Sequence, residues 1–176
     1  MSGTLEMLDA VIARLRQRIP RVPAEYFPEQ PEKYRLNHPV GAILVGYGGS
    51  RYDRASDAQG VMVQGRDVAV TLTVIVRQLN GRDGAVALLD EVRRAVLGFR
   101  MPNATDGLRA IKDDFLGQVA GLWQYALDLA APSLVVEDRD EEDGPLLRHV
   151  TRLGPFERTE TEKQPDGRIT EEDHPL

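Results

Sequence analysis

The chain has 176 residues, with 22 Lys+Arg against 28 Asp+Glu and no cysteine. That length suits one ordinary domain with a tail, or two small ones, and an apolar share of 41% is enough for a core. The missing cysteine excludes disulfide scaffolds, Cys-ligated zinc, iron–sulfur clusters and thiol nucleophiles together.

Leu5, Leu8, Ile12, Leu15 and Ile19 recur at steps of three and four, which predicts an amphipathic helix of about four turns. Thr4 is its expected N-cap, Arg14, Arg16 and Arg18 suit its C-terminal dipole, and Pro20 and Pro23 stop it. Residues 20–39 hold Pro20, Pro23, Pro28, Pro31 and Pro39 with Tyr26, Phe27 and Tyr34 between them. So many prolines argue against regular structure, and the aromatics argue for an extended segment lying on a surface.

Val40–Tyr47 reads as a buried strand, and Gly48–Asp57 as a polar loop after it. Val68, Val70, Leu72, Val74 and Val76 then alternate with Ala69, Thr71, Thr73, Ile75 and Arg77, a half-buried strand pattern. Val61–Val63 either begin that strand or form a short one of their own, with Gly65 permitting a bulge between them.

Asn80-Gly81 turns the chain and Asp83 is the expected cap of a second helix. Ala85, Leu88, Leu89, Val92, Val96 and Phe99 form its buried stripe, and Gly98 and Pro102 close it. Residues 108–116 read as a strand, Gln118–Gly121 as a turn, and Leu122–Ala130 as a last strand with Trp123, Tyr125, Leu127 and Leu129 on one face. This order predicts an α+β fold: a two-layer sandwich with an antiparallel or mixed sheet and two packed helices.

From Glu137 onward there are 13 acids and 6 bases, a balance of −7, while residues 1–136 carry +1. The expected division is therefore a domain over 1–136 and an acidic C-terminal extension or arm over 137–176. In the latter, Leu146, Leu147, Val150 and Leu153 form a small apolar cluster, and Pro165-Asp166-Gly167 is a turn signature. The extension is expected to become ordered only against a neighbouring subunit. No apolar run approaches the ~20 residues of a membrane helix, and no signal-peptide core is present, so a soluble intracellular product without membrane partners is expected.

Catalytic and cofactor motifs find little support. Gly46–Arg51 follows a strand, as phosphate loops do, but lacks the Lys-Ser/Thr ending and the following helix. Asp138–Gly144 is superficially like a calcium loop, yet its glycine falls one place late and His149 stands where a bidentate Glu belongs. Ser50, His38 and Asp53 are triad residue types without a nucleophile elbow. Asp113 and Asp114 are adjacent on a strand, so they point to opposite faces and cannot act as an acid/base pair. Trp123 and Tyr125 suit a stacking platform or, more simply, a core face. No metal, no cofactor and no enzymatic activity are expected; a small enzyme or nucleotide-binding module using the Gly46–Arg54 loop is the alternative from another class.

His38–Tyr52 (HPVGAILVGYGGSRY) resembles a stretch found in the tail terminator family of Mu-like phages. So do the first amphipathic helix, the Leu88-Leu89-Asp90 helix ending Gly98-Phe99-Arg100-Met101-Pro102, and the strand Gly121–Leu127. The resemblance covers residues 4–136. It implies an α/β subunit of a homo-oligomeric, hexameric ring in the virion, at the head-proximal end of the tail and assembled in the host cytoplasm. Such a ring caps the tail tube protein, stops polymerisation and meets the neck or head-completion proteins. The tail sheath is a further partner where one exists, and DNA is only cargo in the lumen. A neck or head-completion protein is the alternative within this class. A ring subunit needs two complementary lateral faces; the candidates are segment 20–39, the Gly48–Gly60 loop and the C-terminal tail, and the candidate interface residues are Tyr26, Phe27, Tyr34, Arg51, Tyr52 and Arg54 on the first two.

Overall fold

The computed structural model describes residues 3–58 and 61–138. Its strands are β1 (Ala24–Tyr26), β2 (Gly41–Tyr52), β3 (Ser56–Ala58), β4 (Val61–Val76), β5 (Arg109–Val119) and β6 (Leu122–Val136). They form one sheet in the order β1-β2-β4-β6-β5, with β3 also on β4. Every pairing is antiparallel except that of β1 on β2, so the sheet is mixed.

The alternating stretch lies at its centre. Val68, Val70, Leu72, Val74 and Val76 are fully buried on one face, beneath α1 (Thr4–Arg18) and α2 (Ala85–Val96). Ile43, Val45, Leu127 and Leu129 flank them, and the helices contribute Val11, Leu15, Leu88 and Val92 to the same core. Burying each such side chain contributes about 1.5–3 kcal/mol relative to leaving it exposed. Among the described residues the other face carries no helix, and there Ala42, Leu44 and Ile75 pack against Tyr34, Leu36 and Leu122. The fold is thus the expected α+β sandwich of two helices on a mixed sheet.

Several local expectations are corrected. In α1 the buried residues are Met7, Leu8, Val11, Ile12 and Leu15, while Leu5 is 64% exposed. At 3.6 residues per turn, Leu5 falls at the rim of that arc, in the first turn. Gly3, not Thr4, is the N-cap, and the Thr4 hydroxyl instead accepts a hydrogen bond from Arg66 Nη2 at 2.7 Å. Gly84, not Asp83, caps α2: a Cβ there would stand 2.6 Å from the Asn80 backbone, and Asp83 is ion-paired with Arg21 at 3.0 Å.

Segment 20–39 is not wholly irregular. It contains β1 and a short 3-10 turn at Pro31–Lys33. Proline removes a donor but keeps its carbonyl, and the Pro23 carbonyl accepts from Ile43 N at 2.9 Å.

The largest correction concerns the polar loop. β2 runs on to Tyr52, because Gly49–Tyr52 pair with Arg66–Ala69 of β4, and the turn to β3 is only Asp53–Ala55. β4 is one continuous strand, and the irregularity sits between Tyr47 and Gly49 rather than at Gly65. β5 reaches Val119, the connecting turn narrows to Ala120 and Gly121 at φ of 50° and 78°, and β6 continues to Val136. Expectations for Gln59 and Gly60 and for the extension beyond Asp138 lie outside the described residues.

Candidate subunit interface

The candidate residues fall into three places. Tyr26 lies on the helix side, with its hydroxyl donating to the Asp9 carboxylate of α1. That hydrogen bond raises its pKa. Phe27 and Tyr34 flank a groove on the open face of the sheet. Arg51, Tyr52 and Arg54 lie at the far end of β2, away from the groove.

The groove has a volume of about 550 Å³ and a floor of Leu44, Thr73 and Ile75. One wall is Phe27, Pro31 and Leu36; the other is Leu116, Val119 and Leu122 from the β5–β6 hairpin. Phe27, Leu116 and Val119 are 43%, 53% and 60% exposed. Leu116 and Val119 were not among the residues singled out from sequence. A bulge between Phe115 and Gly117 displaces Leu116 from simple alternation, and only the adjacent apolar pair Phe115-Leu116 could have signalled it.

Tyr34 belongs more to the fold than to the surface. It is half-buried, and its hydroxyl donates to Glu25 Oε1 at 2.8 Å. Burial first, and then this hydrogen bond, raise its pKa. Since the folded value lies above the unfolded value of about 10, its contribution to stability is full below pH ~10 and is lost as pH rises further. Tyr34→Phe is therefore expected to cost about 0.5–1.5 kcal/mol at neutral pH. It should also flatten the alkaline fall in melting temperature; parallel wild-type and variant curves above pH 10 would contradict the assignment.

At the other end, Arg66 of β4 organises a cluster absent from the sequence-based expectations. Its Nε donates to Ser50 Oγ at 2.9 Å, and its Nη2 to Thr4 Oγ1 and to the Tyr47 hydroxyl at 3.4 Å. The guanidinium also lies 5.9 Å from the Tyr52 ring centroid. Tyr47 and Ser50 are bonded at 2.8 Å, and that bond, followed by Arg66, lowers the Tyr47 pKa.

Between the two ends, a polar belt crosses the open face. Arg109 pairs with Asp67 at 2.6 Å, Lys112 with Asp114 at 2.6 Å, and Thr71 donates to Asp128 at 2.6 Å. The bond to Asp114 raises the Lys112 pKa. Asp113 turns to the helix side instead and pairs with Arg93 of α2, so the two aspartates do point to opposite faces.

The other chemistry considered from sequence is dispersed. Ser50 is held by Tyr47 and Arg66, whereas His38 lies before the opposite end of β2, its Nδ1 accepting from Val40 N at 3.3 Å and Gly41 N at 3.4 Å. Gly46–Tyr52 is ladder-paired strand, so the amides that a phosphate loop would present are partly engaged with β4. Trp123 and Tyr125 pack against the core and against Phe115, at centroid distances of 5.9 and 5.0 Å. Among the described residues no helix is long and apolar enough to cross a membrane.

Residues 11–158 match the family described as Gp37 protein. The chain belongs to the Gp37 protein family. That family is phage-related and structural, a coarser assignment than the tail terminator that the sequence resemblance implies. No curated protein matches the chain. Among solved structures, it is similar to a chain of the "Virion of native gene transfer agent (GTA) particle" at 14% identity and a TM-score of 0.42. That alignment spans 74% of this Gp37-family chain and 91% of the other.

Proposed function

We propose that the chain is the terminator subunit of a phage tail: a homo-oligomeric, hexameric ring that caps the tail tube, stops its polymerisation and receives the neck proteins. Family membership supports the structural, phage-related part of this reading. The observation that carries it further is the sheet face that no helix covers among the described residues. A subunit with helices on one face and an apolar groove with exposed Phe27, Leu116 and Val119 on the other has surface suited to a partner. The groove and the Arg51–Arg54 end are different surfaces, as a closed head-to-tail ring requires. In this reading DNA passes through the lumen only as cargo.

Deleting the gene from a phage that carries it is the direct test. Overlong tails in micrographs are expected. Tails of normal length that stay unattached to heads would instead make the protein a joining component. Purified protein that remains a strict monomer and binds neither tube nor neck would overturn both.

A further inference from the structure

The two edges of the sheet differ in charge. β5 carries Lys112 with the acids Asp113 and Asp114, whereas the Gly46–Tyr52 part of β2, bulged between Tyr47 and Gly49, carries a single charge, the cation Arg51. Charges on an edge govern which chains it can recruit. At the opposite edge, β1 pairs only with Ile43–Val45 of β2. Among the described residues Gly46–Tyr52 has no strand on that side, and a bare edge offers its N–H and C=O groups to an extended chain.

Three arginines lie at this end of β2, with Asp53, Asp57 and Asp67 also nearby. Arg66 bonds only to the hydroxyls of Thr4, Ser50 and Tyr47, with no carboxylate among its partners. Arg51 and Arg54 hold no hydrogen bond or ion pair among the described residues. The Thr4 oxygen accepts from Arg66, so its own proton is directed elsewhere. The cluster is therefore rich in donors, which suits carboxylates.

We propose that the open edge of β2, with Arg51, Arg54 and Arg66 beside it, seats the acidic C-terminal extension of a second copy of this chain. The complement is in the sequence: 13 acids against 6 bases from Glu137 onward, densest over Asp138–Asp143, facing a body of +1. An arm handed from each copy to the next is a head-to-tail contact, the kind that makes a ring where its rotation closes. The proposal rests on the ring reading above and names the surface that would hold the copies together.

The absence of cysteine allows a clean trapping experiment. Two full-length variants, Tyr52→Cys and Asp140→Cys, are mixed under mild oxidation and weighed. The mixed disulfide is expected to exceed either same-variant dimer by about tenfold, as a high effective concentration demands. Random pairing would overturn the proposal. A chain carrying both cysteines should give a ladder of linked chains; a bridge confined to one chain would overturn it. Adding Arg51→Glu and Arg54→Glu to the Tyr52→Cys chain should lower the mixed product several-fold without changing the melting temperature, and an undiminished yield would remove the role of these cations. A ring that forms without the mixed disulfide refutes this docking alone, whereas a strict monomer that binds no tube refutes the ring itself.

Discussion

Leu72→Ala is expected to lower the free energy of unfolding by about 2–5 kcal/mol, the range for deleting a buried leucine. Leu72 sits mid-way along the central strand, between Val45 of β2 and Leu127 of β6, and is fully buried beneath the helices. Regular strands on both sides hold the backbone, so the site has little freedom to collapse around the missing methyl groups. Denaturant titration measures the effect as a lower midpoint at similar slope. Ile111→Ala, on the exposed strand β5, is the control and should change stability by no more than about 0.5 kcal/mol. Equal losses at the two positions would contradict this account of the core.

Gly41→Ala is the second large effect, with an expected loss of about 1–3 kcal/mol from overpacking. A Cβ at Gly41 would stand 2.4 Å from the Ile75 carbonyl oxygen and 2.6 Å from Val76 Cγ1. The nearest obstacle is backbone of the paired strand, so relief requires β2 to move away from β4 where the two pair. Melting temperature and amide exchange in β2 and β4 together test this. A fall in stability with unchanged exchange at Ile75 and Val76 would place the cost elsewhere. Gly49 is the useful contrast, because a Cβ there meets nothing within 4 Å and its cost would come only from the backbone at φ +100°.

The open face of the sheet explains why the candidate interface was only partly legible. Phe27 was visible as an aromatic among prolines that had to lie on something, and it does form the rim of a groove. On the opposite rim, Leu116 read as an ordinary strand residue and Val119 as part of a turn, because which face of a strand meets a helix, and where the strand ends, depend on registers set by other strands. Tyr34 resembled an interface residue by type, yet its hydroxyl is taken by Glu25. Arg66 looked like one more polar residue in a strand; its partners lie at Thr4, Tyr47 and Ser50, as far as 62 positions away in sequence.

What the sequence determined by itself is the set of elements that bury a periodic apolar face. α1, α2 and the Val68–Val76 strand declare themselves because burial repeats every 3.6 or every two residues and needs no knowledge of the partner. The charge boundary near Glu137 is equally local. What only the tertiary structure decided is how polar segments are used. Gly48–Tyr52 becomes strand because Arg66–Ala69 lies alongside to satisfy its backbone, and Thr4 and Asp83 give up their capping roles because distant arginines claim them. Hydrogen bonds and ion pairs of this kind are fixed by partners remote in sequence. Of the surfaces proposed to make the ring, the Arg66 cluster is held in this way, and it emerged only once the sheet was assembled.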